Sequence, residues 1–248
     1  MKKELSLRST TGWIGVAAPI LALIVLQVAW TLAASAKPGL PEFSPVTFET
    51  EDGGTISGSL FRASGPLAVV LAHGAVFNKE SWYPLARKLR TQGVTSLPID
   101  FRGYGTSRSG RTGPTGRSLD ILGAVHFLKA KGFKEIGLVG GSMGGAAVLS
   151  ALARSDDPAV VKALLLAPAG GPPIKEARIE KLFIVSREDR LHPRVAKIFE
   201  ATAEPKKLDV LPGSAHAQNI FSTPEGAKLT DLILRFLTGP TRGVARDR

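Results

Sequence analysis

The chain has 248 residues, of which 44% are hydrophobic and 21% charged, so it is long enough to bury one sizeable core in a single α/β domain. It contains no cysteine, which excludes a disulfide framework, a thiolate metal site and a cysteine nucleophile. The formal net charge is +11, but the basic residues lie singly or in pairs without interleaved aromatic residues, so we expect a solvated basic surface and no nucleic-acid partner.

The first 36 residues have the pattern of a targeting segment. Basic residues near the N-terminus precede a run from Trp13 to Ala36 that contains no charged residue. Small residues at Ala34-Ser35-Ala36 fit cleavage of a signal peptide, whereas the length of the run reaches the ~20 residues of a membrane-spanning anchor and favours that outcome. In both cases the remainder is expected outside the cytoplasm, membrane-anchored if uncleaved and secreted or periplasmic if cleaved.

Beyond this segment the sequence predicts a linker, one domain and a tail. Residues 37–45 contain three prolines and are typical of a stiff spacer. Residues 46–238 carry a regular succession of apolar strand and helix patterns, and residues 239–248 form a basic tail. We therefore expect a single folded domain over residues 46–238.

The domain pattern begins with a hairpin and continues as alternating strands and helices. Alternating residues flank Asp52-Gly53-Gly54, which is a hairpin signal. The strands that follow are predicted in "LAVVLAHG", "VTSLPIDFRG", "EIGLVGG", "VKALLLAP", "KLFIVS" and "KLDVLPG", and the helices in "KESWYPLARKLRTQG", "SLDILGAVHFLKAKG", "MGGAAVLSALARS", "PRVAKIFEATA" and "PEGAKLTDLILRFL". This order predicts an α/β fold with a mostly parallel eight-stranded sheet and helices on both faces.

A serine between glycines marks the most informative turn. The motif Gly140-Gly141-Ser142-Met143-Gly144 follows a predicted strand and opens a predicted helix. At so sharp a turn the residues two before and two after the serine approach neighbouring backbone so closely that a Cβ would clash, which explains Gly140 and Gly144. The context favours a nucleophilic serine over a glycine-rich turn with an N-capping serine.

A serine nucleophile needs a base and an acid, expected in later loops at the carboxyl ends of strands. "REDRLHP" follows the strand "KLFIVS" and contains Asp189, with Glu188 as the rival acid. "SAHAQNIF" follows the strand "KLDVLPG" and contains His216, the candidate general base. His192 follows the acid too closely to be the base, and His126 lies in the middle of a predicted helix.

The oxyanion of an acyl-transfer intermediate needs hydrogen-bond donors. One is expected from the backbone N–H of Met143, at the positive end of the helix dipole. The other is expected from the loop after "LAVVLAHG", where the N–H of Ala75 is the first candidate and that of Val76 the second. Val76, Phe77 and Phe221 predict a hydrophobic acyl pocket nearby.

Five segments together resemble the α/β-hydrolase superfamily from Pro45 to Leu237: "HGAVFNKESW", "IDFRGYGTS", "GLVGGSMGG", "VSREDRLHP" and "PGSAHAQNIF". The resemblance implies Ser142, Asp189 and His216 as nucleophile, acid and base, and an oxyanion loop at residues 73–75. "DFRGYGTS" is assigned a structural role. Two departures matter. "HGGG" is missing, which argues against the esterase branch that carries it. Residues 169–180 are too few for an inserted cap domain, so the resemblance is to an uncapped serine esterase-like member.

The expected activity is hydrolysis of a carboxylic ester, or of a thioester or amide, through an acyl-enzyme intermediate. The expected partner is a small-molecule ester, and no metal or organic cofactor is implied. The sequence leaves the oligomeric state open. The alternative is a membrane-anchored protein that keeps this fold for binding without turnover, although an intact serine, acid and histidine set counts against it.

Overall fold

The structure, a computed structural model, describes residues 41–240. The predicted signal peptide or anchor at residues 1–36 lies outside the described residues, as do residues 37–40 of the predicted linker and residues 241–248 of the predicted tail. Within residues 41–240 no helix is both long and apolar enough to cross a membrane.

The described residues form one sheet of eight strands, in the order β1-β2-β4-β3-β5-β6-β7-β8. Strands β1 and β2 form an antiparallel hairpin, β2 joins β4 antiparallel, and every later pairing is parallel. The strands are β1 (Ser44–Glu49), β2 (Thr55–Leu60), β3 (Leu67–Ala72), β4 (Thr95–Ile99), β5 (Glu135–Gly141), β6 (Val160–Leu166), β7 (Glu180–Ser186) and β8 (Lys206–Leu211). The predicted hairpin and mostly parallel eight-stranded sheet are confirmed.

Five α-helices connect or follow these strands within the described residues. They are α1 (Tyr83–Thr91), α2 (Arg117–Ala130), α3 (Met143–Leu152), α4 (His192–Ala201) and α5 (Gly226–Thr238). Helix α2 packs on α3, and α1 packs on α5. The first predicted helix is divided, because residues Lys79–Trp82 form a 3-10 turn and Pro84 lies in the first turn of α1, where its missing N–H costs nothing.

The core lies around the central strands. Every residue of β3, β4 and β6 is buried, as expected for parallel strands covered on both faces. Their continuous apolar runs thus fix the centre of the sheet. The carboxyl ends of β3, β5, β6, β7 and β8 all open at one edge, because these strands are mutually parallel.

Two boundaries bear on the predicted domain. Strand β1 begins at Ser44, two residues before the predicted start of the domain at residue 46. Pro45 belongs to this strand and not to the spacer, since β1 is an edge strand and needs no N–H on its open side. Between β6 and β7 there is neither helix nor strand, which agrees with the predicted lack of a cap.

Candidate active site

The loops after four parallel strands bring the predicted functional residues to one edge of the sheet. Ser142 directly follows β5, residues 73–75 follow β3, Asp189 follows β7 and His216 follows β8. Carboxyl ends of parallel strands in an open α/β sheet form the usual crevice for ligands. The fold therefore places all four groups around one crevice.

Ser142 lies at a strained turn between β5 and α3. Its φ of 50° and ψ of −110° fall in a region that L-residues rarely adopt. A Cβ at Gly140 would lie 2.5 Å from the carbonyl oxygen of Gly144, and a Cβ at Gly144 would lie 2.2 Å from that of Ala72. The turn therefore requires glycine at both positions, for the crowding reason that the sequence predicts.

Backbone hydrogen bonds hold this strained conformation. The N–H of Ser142 donates to the carbonyl of Leu166 at 2.9 Å, and the carbonyl of Ser142 accepts from the N–H groups of Ala146 and Ala169 at 3.0 Å each. Two of these partners follow or end β6, so the neighbouring strand fixes the turn. The hydroxyl is thereby held in the crevice, where the side chain is half-buried.

Ser142, His216 and Asp189 form a continuous chain of hydrogen bonds. The Oγ of Ser142 lies 2.8 Å from Nε2 of His216, and Nδ1 of His216 lies 2.7 Å from Oδ2 of Asp189. An ionised carboxylate only accepts, so Nδ1–H donates to Asp189 and the neutral imidazole leaves Nε2 to accept from the hydroxyl. This is the geometry in which a histidine can take a proton from serine.

The two candidate acids, Asp189 and Glu188, differ in burial and in their contacts. The side chain of Asp189 is 1% exposed, and its second oxygen, Oδ1, accepts from the N–H of Leu191 at 2.9 Å. Glu188 is exposed. Asp189 is thus the carboxylate that contacts His216.

The two other histidines considered as bases lie away from Ser142. Nδ1 of His192 contacts the carbonyl of Arg187 at 2.9 Å, and His126 is exposed on α2. Within residues 41–240 neither has a hydrogen bond to a serine hydroxyl, whereas Nε2 of His216 lies 2.8 Å from Oγ of Ser142.

The loop after β3 lies next to Ser142 and is fastened at both groups of Gly74. The N–H of Gly74 donates to Oε1 of Gln218 at 2.7 Å, and its carbonyl accepts from Nδ1 of His73 at 2.8 Å. A Cβ at Gly74 would lie 3.6 Å from that of Ser142. Since its own N–H is occupied, Gly74 is excluded as an oxyanion donor.

His73 is a buried structural imidazole. Its Nε2 accepts from the N–H of Phe101 at 3.2 Å, which leaves the proton on Nδ1 to donate to Gly74. Burial lowers the pKa of His73 below its ordinary 6.5. The neutral ring therefore holds the loop over the whole neutral pH range.

The predicted donors Ala75 and Met143 keep free N–H groups. Within residues 41–240 no acceptor contacts the N–H of Ala75, whose carbonyl accepts from the hydroxyl of Tyr104 at 2.9 Å. Met143 is the first residue of α3, where backbone N–H groups have no intrahelical acceptor. Val76, the second candidate, has an 84% exposed side chain. The structure thus leaves the two N–H groups predicted as donors available beside the serine.

Gln218 is a functional candidate that the sequence did not reveal. Its side chain is 4% exposed, and its amide bridges the N–H of Gly74 and, through Nε2, the hydroxyl of Ser81 at 2.8 Å. It follows His216 by two residues and so joins the loop of the imidazole to the loop of Ala75. Its only signal in the sequence is a polar residue soon after the candidate base.

An apolar cleft of about 630 Å³ opens beside this site. Phe77 and Phe221 line it, as predicted, together with Leu85 and Gln218. Val76 does not line it, because its side chain points to solvent; the expectation that Val76 forms part of the pocket is wrong. Gln218 is shared between this cleft and the loop network around Gly74, whereas Ser142 and His216 are not among the lining residues.

The arrangement supplies what nucleophilic attack by serine requires: a hydroxyl beside a base, a buried carboxylate behind that base, and free N–H groups nearby. In the part of the chain that the structure describes, no group of three or more histidine, aspartate or glutamate side chains is placed to hold a metal ion.

Comparisons with known proteins agree with this architecture. The profile of the alpha/beta hydrolase family matches residues 69–182, which include Ser142 and the loop after β3. An uncharacterised protein of Mycobacterium tuberculosis is 29% identical, and the match covers 82% of each chain.

Solved structures share the fold at low sequence identity. An esterase from Pyrococcus furiosus superposes with a TM-score of 0.67 at 19% identity, covering 81% of this chain and 92% of its own. An esterase from Exiguobacterium antarcticum superposes with a TM-score of 0.64 at 17% identity, covering 78% of this chain and 99% of its own. At these identities the likeness establishes the fold and leaves activity to be argued from the site.

Proposed function

We propose that this chain, which belongs to the α/β-hydrolase superfamily, is a serine hydrolase that cleaves a carboxylic ester through an acyl-enzyme. Thioesters and amides are open to the same chemistry. The observation that carries the proposal is the hydrogen-bonded chain from Ser142 Oγ through His216 to Asp189, at 2.8 and 2.7 Å.

In the first half of the reaction, the Ser142 oxygen attacks the ester carbonyl while Nε2 of His216 takes the hydroxyl proton. Asp189 holds the imidazole in the required tautomer and stabilises its cation. The carbonyl oxygen becomes an oxyanion, which accepts from the N–H groups of Met143 and Ala75. His216 then gives its proton to the leaving alcohol, and the acyl group remains on Ser142.

In the second half, water takes the place of the alcohol. His216 removes a proton from the water, whose oxygen attacks the acyl carbon, and the same N–H groups of Met143 and Ala75 stabilise the second oxyanion. The imidazolium returns the proton to Ser142 as the acid product leaves. The 28% exposure of the His216 side chain leaves room for water beside it.

A fluorophosphonate probe tests this function on the full chain. We expect stoichiometric labelling at Ser142, no labelling of Ser142→Ala and greatly weakened labelling of His216→Ala, read out by mass spectrometry. Ser109→Ala changes an exposed serine without hydrogen bonds in the described part of the chain and should label like the parent.

A folded parent chain that takes no label would overturn the proposal and favour the alternative, a membrane-anchored binding protein that keeps the fold without turnover. If the label is taken, p-nitrophenyl esters of increasing acyl length identify the acyl group that fits the cleft beside Phe77 and Phe221.

The proposed location is extracytoplasmic, on the strength of the predicted targeting segment at residues 1–36. Edman sequencing of the mature protein distinguishes its two forms: a new N-terminus at Lys37 indicates a cleaved signal peptide, and an intact N-terminus in the membrane fraction indicates an anchor. Recovery of the intact chain from the cytosol would contradict both.

A further inference from the structure

A second cleft, of about 460 Å³, is lined by Met143 but by neither Phe77 nor Phe221. Its lining also includes Ala146 and Ser150 of α3 and residues 117 and 118 at the start of α2. Because Met143 directly follows Ser142, one residue of this lining is the chain neighbour of the candidate nucleophile.

Two arginines give this cleft its charge. Arg117 and Arg154 line it, and none of its lining residues is acidic. We call it the arginine cleft. Helix α3 rises about 14 Å from Met143 to Leu152, so Arg154, which follows the helix, lies toward the end of the cleft that is far from Ser142.

Arg117 lacks the partners that arginines in folded proteins normally have. Within residues 41–240 its guanidinium makes no hydrogen bond or ion pair, and its Nε is buried without an acceptor. A buried donor without a partner is costly and is usually explained by a ligand, ion or water. The hydroxyls of Ser118 and Ser150, which also line the cleft, have no hydrogen bond in the described residues either. Arg117 and these two hydroxyls are therefore donors available to a ligand.

We propose that the arginine cleft binds an anionic group of the substrate, a carboxylate or a phosphate monoester, with Arg117 as its main donor. Guanidinium groups bind both anions through paired hydrogen bonds. The assignment to a substrate rests on the proposed function, since it is Ser142 that would cleave the ester. A molecule that occupies both clefts is an amphiphilic ester, apolar at one end and anionic at the other.

Binding is tested in the full-length Ser142→Ala chain, which cannot turn over an ester. The probes are hexyl phosphate, hexanoate and the neutral hexanol, titrated calorimetrically. We expect the anions to bind more tightly than hexanol, with an affinity that falls as salt is added. The tighter of the two anions identifies the headgroup.

Substitution assigns this binding to Arg117. Arg117→Gln should weaken the preferred anion by about tenfold or more, and Arg117→Lys should retain part of the affinity. Lys197→Gln removes the same charge from an exposed position on α4 and should change nothing. Arg154→Gln tests the cleft independently if Arg117→Gln does not fold. Two results would overturn the proposal: equal affinity for the anions and for hexanol, or a loss of anion affinity in Lys197→Gln as large as in Arg117→Gln.

Turnover separates this inference from the proposed function. With p-nitrophenyl hexanoate and its ω-carboxylate analogue, p-nitrophenyl hydrogen adipate, Arg117→Gln should raise KM for the anionic ester alone. Equal effects on both esters would reject the anion site while the hydrolase stands. Anion binding in Ser142→Ala without hydrolysis of any ester by the parent chain would reject the hydrolase while the anion site stands.

Discussion

Arg102 and His216 each lie between acidic and hydroxyl groups, but they are held by very different numbers of bonds. The guanidinium of Arg102 is fully buried and donates to Asp52, Asp120, Thr112 and the carbonyl of Gly113. His216 has one partner on each ring nitrogen and remains partly exposed.

This difference in the number of hydrogen bonds indicates which of the two clusters can transfer a proton. Arginine stays protonated at every relevant pH, so Arg102 carries a permanent positive charge and joins the β1–β2 hairpin turn to α2 through Asp52 and Asp120. An imidazole can both accept and donate a proton, and the 2.8 Å contact between Nε2 of His216 and Oγ of Ser142 lets the two groups exchange one. We therefore expect substitutions in the first cluster to cost stability and those in the second to cost activity.

Asp189→Asn is expected to have the largest effect on activity. An asparagine NH₂ group facing Nδ1 would force the proton onto Nε2, so the imidazole could no longer accept from Ser142. We expect kcat to fall by about 10³- to 10⁴-fold, with little change in thermal stability. Kinetics on p-nitrophenyl esters and thermal unfolding measure the two effects.

Glu188→Gln is the matched control, because it makes the same chemical change one residue earlier on an exposed side chain. We expect its kcat within about twofold of the parent. A loss in Glu188→Gln as large as in Asp189→Asn would mean that Asp189 does not act through its contact with His216.

The opposite result is expected from Arg102→Met. Removal of the guanidinium leaves the carboxylates of Asp52 and Asp120 buried without a cation, which we expect to lower the free energy of unfolding by about 3–5 kcal/mol. Urea unfolding measures the change. Arg235→Met removes an exposed arginine paired with Asp231 one helical turn away, and should cost only about 0.5 kcal/mol. Similar losses in both variants would show that the buried cluster adds no more stability than a surface pair.

The stability that the Arg102 cluster contributes should also depend on pH, through Asp52. The hydrogen bond from Arg102, with those from Thr112 and Thr50, holds the pKa of Asp52 well below its ordinary 3.8. A depressed folded-state pKa stabilises the fold above the unfolded-state value and loses that effect as the pH falls below it. Burial raises the pKa of Asp120. Asp120 is present both in the parent chain and in an Asp52→Asn variant, so its protonation is common to both sides of that comparison.

The stability difference between Asp52→Asn and the parent should therefore be largest at pH 7. It should shrink by about 1.4 kcal/mol for each pH unit below 3.8. Urea unfolding at pH 7, 3.5 and 2.5 measures it. A difference that stays constant, or grows, toward low pH would contradict a depressed pKa at Asp52.

The same contrast explains how much could be read from the sequence. Gly140, Ser142 and Gly144 are adjacent in the chain, and the strand-to-helix turn that they form depends on local backbone crowding. His216 and Asp189 follow because strand order fixes which loops meet at one edge of the sheet. Local patterns and parallel topology were therefore sufficient for the sheet, for Ser142 and for the loops that carry the acid and the imidazole.

The remainder depends on side-chain directions that no local pattern encodes. Glu188 and Asp189 are neighbours of the same chemical type, and only the turn after β7 decides which one points inward. Gln218 meets Gly74 across 144 residues, and Arg117 meets the outer face of α3 from another helix. Such contacts arise from tertiary packing, so a single sequence leaves them open.

Gln218→Met is expected to have the smallest effect of these variants. Gln218 holds the loop of Gly74 in place by a hydrogen bond and takes no part in proton transfer. Gln218→Met keeps the length of the side chain but leaves the N–H of Gly74 buried without an acceptor, which should let the loop carrying Ala75 shift. We expect kcat to fall by about tenfold, since the loop carries an oxyanion donor. Ser81→Ala removes only the hydrogen-bond partner of Nε2 of Gln218 and should lower kcat by about twofold.

Both kcat values are taken per active site titrated with fluorophosphonate, so a loss of folded protein cannot imitate the effect. If titrated Gln218→Met turns over at the parent rate, the bond to Gly74 supports the fold alone, and the positioning role of Gln218 fails.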